Sequence, residues 1–126
     1  MLKIVISKEK SGHMVTVKAG NGEVLMWSEK YASKQGALDA VEILKDHAFC
    51  APVFDLTKNE DPKGYHFQID DTADKQFMTR FKASNGKIII WSERYTAKHN
   101  AIACANNVRN NIRGAEFVDE TQPKAA

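Results

Sequence analysis

The sequence predicts an α+β fold: two tandem β-β-β-α-β repeats that form one antiparallel sheet with two helices on one face. Three observations predict it. The chain repeats itself at a fixed offset, each copy holds an Asn-Gly turn between apolar runs, and each copy then switches to a single helix-period segment.

The repeat is read directly. Lys18-Ala19-Gly20-Asn21-Gly22-Glu23 returns 64 residues later as Lys82-Ala83-Ser84-Asn85-Gly86-Lys87, and Trp27-Ser28-Glu29-Lys30-Tyr31 returns as Trp91-Ser92-Glu93-Arg94-Tyr95. Lys34 matches Lys98, Ala37 matches Ala101, Ala51 matches Ala115 and Asp55 matches Asp119. Upstream the second copy is one residue longer, because Phe67-Gln68-Ile69 aligns with Ile4-Val5-Ile6. The first repeat therefore covers 1–58, the second 64–120, with Asn59–Gly64 as a polar linker and 121–126 as a flexible tail. A unit of about 60 residues buries too little surface to be secure alone. The two copies are therefore read as one pseudo-two-fold domain.

Within each copy the elements follow in order. A short apolar run leads into a hairpin at Asn21-Gly22 or Asn85-Gly86, the dipeptide that suits a two-residue type I′ turn. Ser33 and Thr96 offer hydroxyls to cap the following helices. Ala37, Val41, Leu44 and Ala48 mark one helix face, repeated by Ala101, Ala105, Val108 and Ile112. Pro52 and Gly114 mark the helix ends, and Val53-Phe54 and Phe117-Val118 form brief closing strands.

Composition narrows the function classes. With 126 residues, 43% hydrophobic and 27% charged, the chain suits one soluble domain. A net charge of +2 is too small to indicate a nucleic-acid or membrane partner, and the excess lies in the second half. The start lacks the apolar stretch of a signal peptide, and no segment approaches a membrane span. Cys50 and Cys104 are read as reduced, buried thiols, which places the protein in the cytoplasm.

The hairpin register assigns side chains to faces. Counting outward from Asn21-Gly22, Ala19–Val24, Val17–Met26 and Val15–Ser28 point to the helices, while Lys18–Leu25, Thr16–Trp27 and Met14–Glu29 point away. In the second copy Lys82–Ile89, Arg80–Trp91 and Met78–Glu93 point away. The helix-free face thus carries Trp27, Trp91, Arg80, Lys18, Lys82, Leu25 and Ile89, with Arg80 placed to stack on Trp91. Such a face suits a protein partner or self-association. The alternative is single-stranded nucleic acid, with bases on the indoles and phosphates on Lys18, Lys82 and Arg80. The bland reading is that the basic stems lie over the tryptophans and complete a second small core. The second helix is also basic, with Lys98, His99, Arg109 and Arg113 and no acid over 96–113.

No catalytic or cofactor chemistry is expected. His47 and Cys50 form one H-x-x-C pair, but a zinc site needs four converging ligands, so no metal is assigned. Asp70, Asp71 and Asp74 are read as turn carboxylates, and Cys104 has no base beside it to lower its pKa. Ser28-Glu29 and Ser92-Glu93 lack a partnering histidine, and are read as hydrogen-bonding corners with Tyr31 and Tyr95 packed across them.

The run Lys-Ala-x-Asn-Gly-(Glu/Lys)-(Val/Ile)-(Leu/Ile)-x-Trp-Ser-Glu-x-Tyr-x-x-Lys, at 18–34 and 82–98, resembles the motif of the YegP-like family, small bacterial proteins of unknown function. The likeness spans nearly the whole chain. Trp27 and Trp91 depart from the small polar residue that the family pattern places before Ser-Glu. The resemblance implies β(3)-α-β units on one sheet with C-terminal strands exchanged. Val53–Leu56 would then lie beside the second unit and Phe117–Asp119 beside the first. It implies no activity and no catalytic residue.

Overall fold

The computed structural model describes residues 1–121, so the tail beyond Thr121 lies outside the described residues. The first repeat contributes strands β1 (Lys3–Glu9), β2 (Gly12–Lys18), β3 (Val24–Trp27), helix α1 (Lys34–His47) and strand β4 (Val53–Asp55). The second contributes β5 (His66–Asp71), β6 (Phe77–Lys82), β7 (Ile88–Trp91), α2 (Lys98–Asn111) and β8 (Glu116–Asp119). A short 3-10 turn follows each helix, at Ala48–Cys50 and Ile112–Gly114.

All eight strands form one sheet in the order β4-β5-β6-β7-β3-β2-β1-β8. The two repeats meet at its centre, where β3 pairs with β7 antiparallel through Trp27 and Trp91. The outer strands are exchanged: β4 lies beside β5, and β8 beside β1. These outer pairs are parallel, so the sheet is antiparallel only from β5 to β1, a correction to the all-antiparallel expectation. Each helix carries the chain back across the sheet, so the strand after it runs in the direction of the neighbour it joins.

Ion pairs fasten each exchanged strand to the other repeat. Lys98 Nζ lies 3.0 Å from Asp55 Oδ2, and Lys34 Nζ lies 2.7 Å from Asp119 Oδ2. The recurrence of Lys34/Lys98 and Asp55/Asp119 in the sequence is therefore a crosswise pairing. One apolar core lies between the helices and the sheet, built on Ile4, Ile6, Val15, Val17, Phe67, Ile69 and Phe81 from the strands and Ala37, Val41, Leu44, Ala101, Ala105 and Val108 from the helices. No described helix is long and apolar enough to cross a membrane.

The hairpins differ from expectation in a way that matters for the surface. Ala19 N donates to Glu23 O and Gly22 N to Ala19 O, so the loop is the three residues Gly20-Asn21-Gly22. The positive φ sits on Gly22 (+88°) and Gly86 (+86°), not on the asparagines, whose side-chain oxygens instead accept from the amides of Glu23 and Lys87. The longer loop advances the register by one, and a β-bulge restores it. Lys18 opposes Val24 while Val17 opposes Met26, and Lys82 opposes Ile88 while Phe81 opposes Ile90. Leu25 and Ile89 are the extra residues. Both are buried in the core, at 8% and 2% exposed, and are not part of the open face.

The helix starts also diverge. Ser33 caps α1 by accepting from Gly36 N, but the aligned position before α2 is Ala97, and Thr96 makes no cap. Cys50 is exposed, not buried as expected, because it sits on the 3-10 turn after α1; Cys104 is buried under β3. Asp70 and Asp71 belong to β5, paired with Met78 and Phe77, leaving Asp74 alone in the turn.

Candidate functional site: the helix-free sheet face

The face opposite the helices is built by alternate residues of the central strands. At its middle, on the pseudo-two-fold axis, are Trp27 and Trp91, both half-buried. Lys18 and Lys82 stand half-buried beside them. Of the seven residues the sequence placed here, five remain: Trp27, Trp91, Arg80, Lys18 and Lys82. Val24 and Ile88 take the places opposite the lysines that Leu25 and Ile89 were expected to fill.

On the second-repeat half a polar chain fills the surface along β5. His66 Nε2 lies 2.8 Å from Gln68 Oε1, while Nδ1 lies 2.7 Å from the Gly64 carbonyl. Gln68 Nε2 donates to both oxygens of Asp70, at 3.1 and 2.9 Å. Arg80 closes the chain, its guanidinium donating to Asp70 Oδ2 at 3.0 Å. Because a carboxylate only accepts, the Gln68 amide must point its nitrogen at Asp70 and its oxygen at His66. Phe54 of β4 meets the His66 ring edge-on, with centroids 5.7 Å apart. Arg80 opposes Trp91 in register, as expected, but its charge is engaged by Asp70 and it makes no cation–π contact with the indole. The nearby carboxylate out-competes the ring, since an ion pair with a hydrogen bond exceeds a partly exposed cation–π contact.

The first-repeat half repeats the backbone with smaller side chains at all but one of these positions, the exception being Lys3. The positions of His66, Gln68, Asp70, Arg80 and Phe54 are held by Lys3, Val5, Ser7, Thr16 and Val118. What remains is a hollow of about 400 Å³, lined by Val5, Ser7, Met14 and Thr16 beneath Trp27, with Glu9, Lys18, Val24 and Glu120 around it. Val5 and Thr16 are buried although no helix lies above them. Sequence reasoning noticed the change from Thr16 to Arg80, but not that Val5/Gln68 and Ser7/Asp70 change with it. The alternation along β1 and β5 was the signal that could have linked them.

Elsewhere the recurring side chains have structural partners. Ser28 Oγ accepts from Val15 N at 2.9 Å and donates to Glu29 O at 2.7 Å; Ser92 does the same with Thr79 N and Glu93 O. Tyr31 bridges His13 and Tyr95 bridges Phe77 through backbone hydrogen bonds. At Gly12 an added Cβ would meet Tyr31 O at 2.4 Å, so this close approach in the first copy requires glycine. Burial, followed by the neighbouring Cys104, raises the Tyr95 hydroxyl pKa; burial also pushes the Cys104 thiol up to about 11, against a hydrogen bond from Tyr95. His47 stacks on Tyr65 with centroids 3.7 Å apart. On α2, Lys98 is paired with Asp55 and Arg109 donates to Ala51 O, and on the 3-10 turn that follows Arg113 lies over Phe49, so these cations spend their charge on internal contacts.

Comparison with known proteins places this architecture. The pattern of the family described as Domain of unknown function (DUF1508) matches residues 10–55 and again 73–119. A UPF0339 protein of Pseudomonas aeruginosa is 28% identical over 120 residues, covering 94% of this chain and 97% of its own. A UPF0339 protein of Agrobacterium fabrum is 40% identical over 57 residues, 45% of this chain but 92% of its own length, and so corresponds to one repeat. The solution structure of the Escherichia coli protein of unknown function yegP superposes with a TM-score of 0.74 at 22% identity, covering 98% of this chain and 96% of that one. That last likeness is one of fold. Matched twice in tandem, with the strand-exchanged sheet formed by both copies, this chain belongs to the DUF1508, or YegP-like, family, whose function is unknown.

Proposed function

We propose that this chain is a non-catalytic interaction module of the cytoplasm, which recruits a protein partner through its helix-free sheet face. The observation that carries the reading is the hollow of about 400 Å³ beside Trp27, on a face that no helix covers. A half-buried indole next to an apolar recess is the kind of feature that concentrates binding energy in protein interfaces. A non-catalytic role is supported by the perturbed groups: burial moves the Cys104 and Tyr95 pKa values away from reactivity, Asp55 is lowered against its burial by hydrogen bonds from Thr57 and Lys98, and Asp119 is lowered by hydrogen bonds from Lys34 and Thr121. Free thiols at Cys50 and Cys104 support the cytoplasmic placement.

Single-stranded nucleic acid is the competing occupant. It is disfavoured because Arg80 is already held by Asp70, and Glu9 and Glu120 lie on the same face. The test is a titration of the two indole N–H signals by NMR, against short oligonucleotides and against unlabelled bacterial extract. A protein partner moves the Trp27 signal with little dependence on salt, and the Trp27→Ala/Trp91→Ala variant loses the response. Nucleic acid instead binds with steep salt dependence. Indole signals that stay fixed while a partner binds elsewhere would overturn the reading.

A further inference from the structure

The two halves of the open face act as an internal comparison. Around Trp91 the matching hollow is smaller, about 250 Å³, lined by Met78, Ile88, Trp91 and Arg80, whose stem rises from β6 and whose guanidinium meets the Asp70 carboxylate on β5. Around Trp27 the same backbone carries Thr16 in place of that arginine, the hollow widens to about 400 Å³, and carboxylates stand at its edge in Glu9 and Glu120. Glu120 lies on the β1 side, where its amide donates to Ile6 O, and Glu9 accepts from Ser7 Oγ at 3.0 Å.

We infer that the hollow beside Trp27 receives an arginine side chain from a partner protein, completing there what Arg80 completes within the chain beside Trp91. The inference rests on the reading of this face as a protein interface. Its chemistry is charge complementarity around an apolar stem. The methylene chain lies over Val5 and Thr16 against the indole, and the guanidinium reaches the Glu9 and Glu120 carboxylates. Lys18 lines the other end and opposes a cation. The second repeat shows that this is tolerated, because Lys82 occupies the position equivalent to Lys18 beside Arg80. A planar guanidinium suits a site bounded by an indole and two carboxylates better than an ammonium does.

The experiment titrates the full-length protein with blocked pentapeptides carrying a central Arg, Lys or Glu between glycines, and follows both indole N–H signals. The Arg peptide is expected to move Trp27 but not Trp91, the Lys peptide to bind more weakly, and the Glu peptide not to bind. Thr16→Arg narrows the hollow from within, as Arg80 does, and removes the response while the Trp91 signal reports an intact fold. Glu9→Gln/Glu120→Gln alters only rim side chains, and is expected to weaken binding about tenfold, the worth of one charge-assisted hydrogen bond. The inference is overturned if the Arg peptide leaves Trp27 unmoved, or moves both indoles alike. It is equally overturned if both variants bind as wild type does. If the Glu peptide or an oligonucleotide moves Trp27 where the Arg peptide does not, arginine is the wrong occupant but the face remains the binding surface. If neither extract nor any probe moves either indole, the interface reading fails as well.

Discussion

Lys98→Met tests whether the crosswise ion pairs hold the exchanged strands in place. Lys98 Nζ stands 3.0 Å from Asp55 Oδ2 and 3.1 Å from Thr57 Oγ1, and the two charged side chains are 33% and 13% exposed. Methionine keeps most of the stem and its packing while removing the charge. A fully exposed pair contributes about 0.2–1 kcal/mol, whereas removing one partner of a buried pair costs about 3–5 kcal/mol. Asp55 falls between these limits. It remains reachable by water, and the amide of Thr57 still donates to its other oxygen at 3.0 Å, so its charge is not orphaned. The expected loss is therefore about 1–2 kcal/mol. Urea unfolding followed by tryptophan fluorescence would register a midpoint fall of about 0.5–1 M for a chain of this size.

The specific claim is a coupling across repeats, so Asp55→Asn and the double variant complete a cycle. Asparagine preserves the acceptor for Thr57 and isolates the charge. A coupling of about 1 kcal/mol is expected. If the two substitutions are additive within about 0.3 kcal/mol, the ion pair is incidental and the strand exchange rests on backbone pairing and apolar burial alone.

Two further predictions follow from the same geometry. At Asp55 partial burial raises the carboxyl pKa, but hydrogen bonds from Thr57 and Lys98 with the Lys98 charge outweigh it; at Asp119 hydrogen bonds from Lys34 and Thr121 lead the lowering. Both folded values lie below the unfolded value of about 3.9, so the stabilisation is whole above about pH 4 and is lost as pH falls below it. Asp55→Asn/Asp119→Asn should flatten the urea midpoint between pH 4 and 2, and an acid limb unchanged from wild type would refute the assignment. Separately, Ile89→Ala should cost about 2–5 kcal/mol, because the bulge buries this side chain at 2% exposed; an open-face residue would instead change stability by about 0.5 kcal/mol or less.

The fold was legible because duplication supplies each signal twice. Trp27-Ser28-Glu29 and its copy fixed the strand-to-corner transition, and the helix faces at Ala37–Ala48 and Ala101–Ile112 emerged from spacing alone. Leu25 and Ile89 were misplaced because Asn-Gly is compatible with more than one loop length. A glycine can take the positive φ of a two-residue or a three-residue loop, and the hydrogen bonds from Ala19 N to Glu23 O and from Gly22 N to Ala19 O distinguish them. The one-residue loop error cancels at the bulge, which is why Thr16–Trp27 and Arg80–Trp91 still paired as read. Asp70 stands in a strand although consecutive aspartates suit turns. Its partner Arg80 lies ten positions away, a separation that local patterning does not register.

The pattern of what recurs and what diverges separates two kinds of residue. Ser28/Ser92, Tyr31/Tyr95, Lys34/Lys98 and Asp55/Asp119 recur as identical pairs, and each meets a partner that holds strands or repeats together. On the open face, by contrast, Val5/Gln68, Ser7/Asp70, Thr16/Arg80 and Val118/Phe54 all differ, and they differ in concert. Each second-repeat residue is larger, and three of the four belong to or support one hydrogen-bonded chain that leaves no unmet donor at the Gln68 amide. Partial versions of that chain would bury a polar group without a partner, which costs about 1–3 kcal/mol. The half with the smaller hollow and the half with the larger one are thus two self-consistent solutions on one backbone. Trp27 and Trp91 remain identical between them, so a tryptophan with its neighbouring arginine supplied and a tryptophan with that place left open stand side by side across the pseudo-two-fold axis.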